Sequence, residues 1–197
     1  MTYLWILVAV AVAILIYGIS RYNRLVTLRE RYRNGFSQID VQLRRRYDLI
    51  PNLVDTAKGY LKHERETLEA VIRARNEALQ ADTKAAANPG QPEAMMGLVA
   101  AEQSLGGHLK QFFGLVEGYP ELRGNETMLQ LHEELASTEN RIAFARQAYN
   151  DAVMRYNSTR AAVPTNVVAS AFRFGRAEFF QIDDDRERAT PTVTFGD

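Results

Sequence analysis

The chain of 197 residues has no cysteine. This excludes a disulfide framework, a thiolate nucleophile and every cysteine-containing zinc site, and it leaves the compartment to other evidence. An excess of charge is also missing: 24 lysines and arginines face 24 aspartates and glutamates. Without a basic surplus to neutralise a phosphate backbone, nucleic acid is not an expected partner. Histidine occurs three times, as His63, His108 and His132. None has a second histidine or a carboxylate at metal-ligand spacing, and His63-Glu64 begins an H-E-x-x-H motif that no later histidine completes. No G-x-S-x-G elbow, Walker loop or dinucleotide fingerprint is present. Glu133-Glu134 and the Glu64/Glu66 pair read as solvated helix faces, and neither Glu133 nor Glu134 starts the Glu-x-x-His pair of a di-iron bundle. The expectation is a protein that is not an enzyme and carries no metal and no cofactor.

What the sequence does have is one long greasy run at its start. Thr2 to Ile19 contains no charged residue, and at about 1.5 Å per residue it comes close to the thickness of a bilayer's hydrocarbon. No basic region precedes the run and no small-residue cleavage site follows it, which favours an uncleaved anchor over a signal peptide. Arg21, Arg24, Arg29, Arg31 and Arg33 follow it. The positive-inside bias therefore places residue 21 onward in the cytoplasm and the N-terminus outside, as a single-pass protein of a bacterial inner membrane. Trp5 and Tyr17, with Arg21 and Arg24, are the candidate membrane-interface residues.

Beyond the anchor the apolar residues keep helical spacing. Leu25, Leu28, Tyr32, Phe36, Ile39, Leu43, Tyr47 and Ile50 recur at steps of three and four, and Leu53, Val54, Ala57, Leu68, Val71 and Ile72 continue the pattern toward Asp82. Asp48-Leu49-Ile50-Pro51-Asn52 interrupts it. Proline costs roughly 3 kcal/mol inside a helix and little in a first turn, so a chain reversal is expected there, with Asp48 as a cap. The stripe keeps its phase across Pro51, however, so one long helix remains the alternative. Asn88-Pro89-Gly90-Gln91-Pro92 predicts a loop. A third stripe runs from Met95 to Val116. Asn125 then leads into the strongest pattern, Met128 to Tyr156, a heptad-like seam approaching 50 Å at about 1.5 Å per residue. Partners of that length joined by short loops make an antiparallel up-and-down bundle.

The expected fold is all-α: a transmembrane anchor at 1–20, a four-helix bundle of long helices at 21–163 and an irregular, aromatic-containing tail at 164–197. Up-and-down order returns the start of the tail to the membrane. Its aromatic residues, Phe172, Phe174, Phe179, Phe180 and Phe195, are expected to pack back on the bundle or to touch lipid or a neighbouring subunit.

Arg44-Arg45-Arg46, with Tyr47 and Asp48, is the candidate protein-interaction site. The plainer reading is an exposed helix face paired with Asp40 and Asp48. Lipid is out of reach, because about 23 helical residues, roughly 35 Å, separate Arg44 from Arg21. Polar residues inside the last helix, among them Thr138, Glu139, Asn140, Tyr149, Asn150, Tyr156 and Asn157, could fix helix register.

Several stretches carry a resemblance. Tyr22 to Val26 (YNRLV), Ser37 to Tyr60 (SQIDVQLRRRYDLIPNLVDTAKGY), Glu117 to Leu122 (EGYPEL), Glu139 to Ala143 (ENRIA), Tyr149 to Val153 (YNDAV) and Pro191 to Phe195 (PTVTF) together resemble the LemA family over nearly the whole chain after the anchor. Gly35-Phe36 stands where the family resemblance leads one to expect a small residue followed by tryptophan, and Gly124 where alanine is usual. The resemblance implies a membrane-anchored four-helix bundle and no established reaction. The expected partners are membrane lipid through the anchor and further copies of the chain in a self-associating scaffold. An adaptor or regulator of another membrane complex, such as a membrane protease, is the alternative, since genes of similar proteins often neighbour one.

Overall fold

A computed structural model describes residues 1–181. Six helices account for most of them: α1 Thr2–Lys58, α2 Arg65–Ala87, α3 Pro92–Val116, α4 Pro120–Arg123, α5 Glu126–Ala161 and α6 Thr165–Ala171. No strand occurs among the described residues.

The reversal expected at Asp48 to Asn52 is not there. α1 is continuous through Pro51, and the chain turns instead between Gly59 and Glu64. The reason is local. Proline removes the N–H that would bond the carbonyl four residues earlier, which is that of Tyr47. Here Arg75 of α2 supplies a replacement donor, its Nε giving a hydrogen bond of 3.0 Å to the Tyr47 carbonyl. The residues from Leu53 to Ala57 therefore belong to α1, and the second helix begins at Arg65 rather than before Leu53.

The four long helices pack up and down. Along α1 and α5 the partners run in opposite order: Tyr32 lies edge-on to Tyr156 at 5.2 Å, Phe36 to Tyr149 at 5.8 Å, and Arg46 meets Glu139. Near the far tip the Asn125 side-chain amide donates to the Tyr60 hydroxyl at 3.4 Å. Gly35 permits the close approach of the two helices, because a Cβ at that position would stand 3.3 Å from the Cα of Tyr149. Phe113 of α3 lies edge-on to His132 of α5 at 4.6 Å. Asn125 caps α5 by accepting from the Met128 N–H at 3.1 Å, as N-cap chemistry predicts. The core holds the inward stripes of all four helices.

Residues 2–19 stand apart from this core as bare helix, with Leu4, Ile6, Leu7, Ile14, Leu15 and Ile16 all exposed. A uniformly apolar surface of that length is the form of a membrane-crossing segment. The tail is more ordered than expected. Residues 165–171 form α6 beside the anchor's last turns, and 172–181 follow as a non-helical strap along α5. Phe195 and the acidic run Asp183 to Asp185 lie outside the described residues.

Candidate functional site

One short stretch of α1 is bonded to every other long helix. Its register follows from the stripe: Ile39, Leu43, Tyr47 and Ile50 point into the core, and Arg46 shares their face because it lies three residues beyond Leu43 and seven beyond Ile39. Arg46 is accordingly buried, not on the exposed face expected for all three arginines. Its guanidinium pairs with Glu102 of α3 and, at 2.7 Å, with Glu139 of α5. The Tyr47 hydroxyl donates to the other Glu102 oxygen at 2.5 Å, while burial pushes that phenol well above its ordinary range. Arg44 remains exposed, donating to Asp40 one turn earlier at 2.7 Å and lying 3.9 Å from Asp82 of α2. Arg45 is exposed, and Asp48, also exposed, is 3.8 Å from Arg75. Of the five candidate interaction residues, Arg46 and Tyr47 are thus interior, and Arg44, Arg45 and Asp48 are available at the surface.

Glu102 and Asp82 were missed in the sequence although a signal existed. Each is a charged residue in phase with an apolar stripe: Glu102 follows Leu98 by four and precedes Leu105 by three, and Asp82 follows Ala78 by four and precedes Ala85 by three. Buried charge at such a position demands a partner. Glu102 has Arg46 and Tyr47. Asp82 is fully buried, and loss of solvent together with the neighbouring Asp40 carboxyl pushes it up to about 8, opposed by Arg44.

This has a pH consequence. An unfolded chain releases the Asp82 proton near 3.8, whereas the folded chain keeps it to about 8. Between those values the folded state binds more protons, so the contribution of Asp82 to stability declines as pH rises, by at most about 1.4 kcal/mol per pH unit. Asp82→Asn should remove that decline. The difference in urea midpoint between variant and parent should grow from pH 5 to pH 8 in favour of the variant; a difference independent of pH would show that Asp82 ionises normally.

A second constellation fastens the strap. Asn157 makes a paired contact with Ala177, its Nδ2 donating to the carbonyl at 2.8 Å and its Oδ1 accepting from the N–H at 3.0 Å. Asn150 does the same with Phe180, at 3.1 and 2.9 Å. Tyr156 donates its hydroxyl to the Gly175 carbonyl at 2.8 Å and Tyr149 to that of Glu178 at 2.7 Å. The spacing explains the fit. Seven residues of helix rise about 10.5 Å, and three residues of extended chain span about 10 Å, so the repeated Tyr-Asn pair meets the strap twice in register. Arg160 Nε adds a hydrogen bond to the Phe174 carbonyl at 2.6 Å, and the Glu178 N–H donates to the Gly90 carbonyl at 2.8 Å. Gly90 has φ +82, and a Cβ there would stand 3.0 Å from the Tyr32 ring, so both conformation and space call for glycine. Phe174 and Phe180 are buried under this strap, in keeping with aromatics that pack back on the bundle, whereas Phe172 is exposed.

At the membrane end, Trp5 and Tyr17 are exposed on the anchor and the Arg21 guanidinium lies over the Tyr17 ring at 4.5 Å. Arg24 is exposed as well. Among the described residues no group of three or more histidines, aspartates or glutamates is arranged to hold a metal ion.

Comparison with known proteins connects these features to one family. Magnetosome proteins MamQ 1 and MamQ 2 of Paramagnetospirillum magneticum are each 27% identical to this chain over 189 residues, covering 88% of it and 69% of their own length. Protein LemA of Metamycoplasma hominis is 25% identical over 166 residues, covering 84% of this chain and 71% of its own. The model of the LemA family matches residues 35–195, a span that takes in the Arg46 cluster and both Tyr-Asn pairs. The chain belongs to the LemA family.

Proposed function

We propose that this protein is a non-enzymatic scaffold that self-associates at a bacterial inner membrane, with the N-terminus outside and the bundle in the cytoplasm. The observation that carries the reading is the outer face of α5. Leu129, Phe144 and Met154 are exposed there, and at about 100° per residue they fall within about 80° of one another, opposite the core stripe. They stand about 15–22 Å apart along the helix and offer separate apolar contact points on one face. An anchored rod presents that face sideways, toward its neighbours in the membrane plane. The orientation rests on the arginines after Ile19, and a role in membrane organisation is in line with relatives named as magnetosome proteins. Arg44, Arg45 and Asp48 offer a second, polar contact for a partner protein.

Full-length protein extracted in a mild detergent should run as a multimer by light scattering, and Phe144→Glu should shift it toward monomer without loss of helical signal. A parent protein that is monomeric under these conditions would replace the scaffold by an adaptor for another membrane complex.

A further inference from the structure

The geometry points to α6 and the residues flanking it as a second membrane contact, one that lies in the headgroup boundary and takes anionic phospholipid. Three observations converge. First, α6 sits too low to stand clear of a bilayer crossed by the anchor. Val168 and Phe172 share a groove of about 460 Å³ with Ile14, Leu15, Ile19 and Tyr22 of the anchor. Ile14 lies five residues, about 7.5 Å, inside the last apolar residue of the run, so the groove reaches into the lipid-facing turns. Second, the segment is built for that depth. From Ala161 to Phe172 it carries no charged residue, and it leaves Val163 81%, Val167 67% and Phe172 61% exposed. In water these side chains would be bare, whereas at the acyl boundary they are solvated by lipid. A short helix with open backbone ends belongs at the headgroup level, where water still reaches it, and not at the bilayer centre.

Third, the charge around it is predominantly positive. Residues 21–33 contain five arginines and one acid, Glu30, and residues 155–176 contain four arginines and no acid, in a chain whose total charge is balanced. Arg173 follows Phe172 directly, and Arg21 and Arg24 follow the anchor. Arg21, Arg24 and Arg173 stand at the level of the phosphates of an anionic leaflet, whereas Arg29, Arg31 and Arg33 lie about 15–21 Å beyond Ile19. The occupant of the groove is therefore an acyl chain whose headgroup meets this collar. The contact rests on the anchor and is independent of self-association. Aromatic packing holds α6 in place: Tyr22 lies edge-on to Phe172 at 4.9 Å and to Phe174 at 5.5 Å, and Phe174 is secured to α5 through the strap.

The sole tryptophan, Trp5, permits a direct test. The full chain carrying Trp5→Phe and Phe172→Trp is reconstituted in vesicles of phosphatidylcholine, with or without phosphatidylglycerol. Chains carrying Trp5→Phe and His63→Trp, at the exposed far tip of the bundle, serve as the aqueous reference, and circular dichroism confirms that both fold. The tryptophan at 172 should emit at shorter wavelength than the one at 63 and lose most of its emission to brominated acyl chains, with stronger quenching when phosphatidylglycerol is present. Emission and quenching equal to the reference would overturn the proposal. A blue-shifted emission untouched by brominated lipid would also overturn it, since another copy of the chain would then cover the site. Quenching indifferent to phosphatidylglycerol would remove the arginine collar as an anionic-lipid contact.

Discussion

Replacing Arg46 by methionine should destabilise the bundle by about 3–5 kcal/mol, because Glu102 would keep its buried position and lose its counter-charge. Thermal unfolding of the full-length protein in detergent, followed by circular dichroism, reads this as a fall in midpoint. The paired substitution separates the causes. Arg46→Met with Glu102→Leu removes both charges and should recover most of the loss, since a buried ion pair contributes little beyond what well-packed apolar groups supply. Glu139→Gln should cost no more than about 1 kcal/mol, as its side chain is 57% exposed and water can serve Arg46 there. An Arg46→Met protein as stable as the parent would mean that the pair with Glu102 is not formed. The physical role assigned to the pair is specificity: an ion pair reaching α3 and α5 from α1 penalises any packing in which those helices slide out of step.

Releasing the strap is the other large effect. Asn150→Ala combined with Asn157→Ala deletes four hydrogen bonds to the main chain, at about 0.5–1.5 kcal/mol each. The amides of Ala177 and Phe180 should then exchange with solvent far faster, and limited proteolysis should cut within 172–181 while the bundle resists. Unchanged protection at these two amides would show that asparagine does not hold the strap. Tyr149→Phe and Tyr156→Phe should act in the same direction and more weakly, because each removes one hydroxyl contact and keeps the ring in the core.

The helices were legible because periodicity survives without any tertiary knowledge. The Met128 to Tyr156 seam, the break at Asn88 to Pro92 and the Asn125 cap all appear in the structure where local chemistry puts them. Pro51 misled for a specific reason: its cost is local and readable, whereas its compensation by Arg75 comes from another helix 24 residues away in sequence. The unbroken phase of the stripe across Pro51 was the better guide. The interior polar residues were half legible. Thr138 to Asn157 suggested register-fixing groups, but that Asn150 and Asn157 grip an extended strap depends on a match between helical rise and strand length that no single segment carries. Arg46 looked like part of a surface run because three arginines in succession suggest solvent, although only one of every three or four helix positions faces inward.

The absence of a joint in α1 has a mechanical consequence. About 58 Å of the same helix continues past the apolar run to Lys58, at 1.5 Å per residue, so the bundle is steered by its anchor as a lever is by its handle. A change of about 10° in the tilt of the spanning segment swings the far tip through an arc of roughly 10 Å. Any change in the anchor's tilt is thereby turned into sideways travel at the far end of the rod.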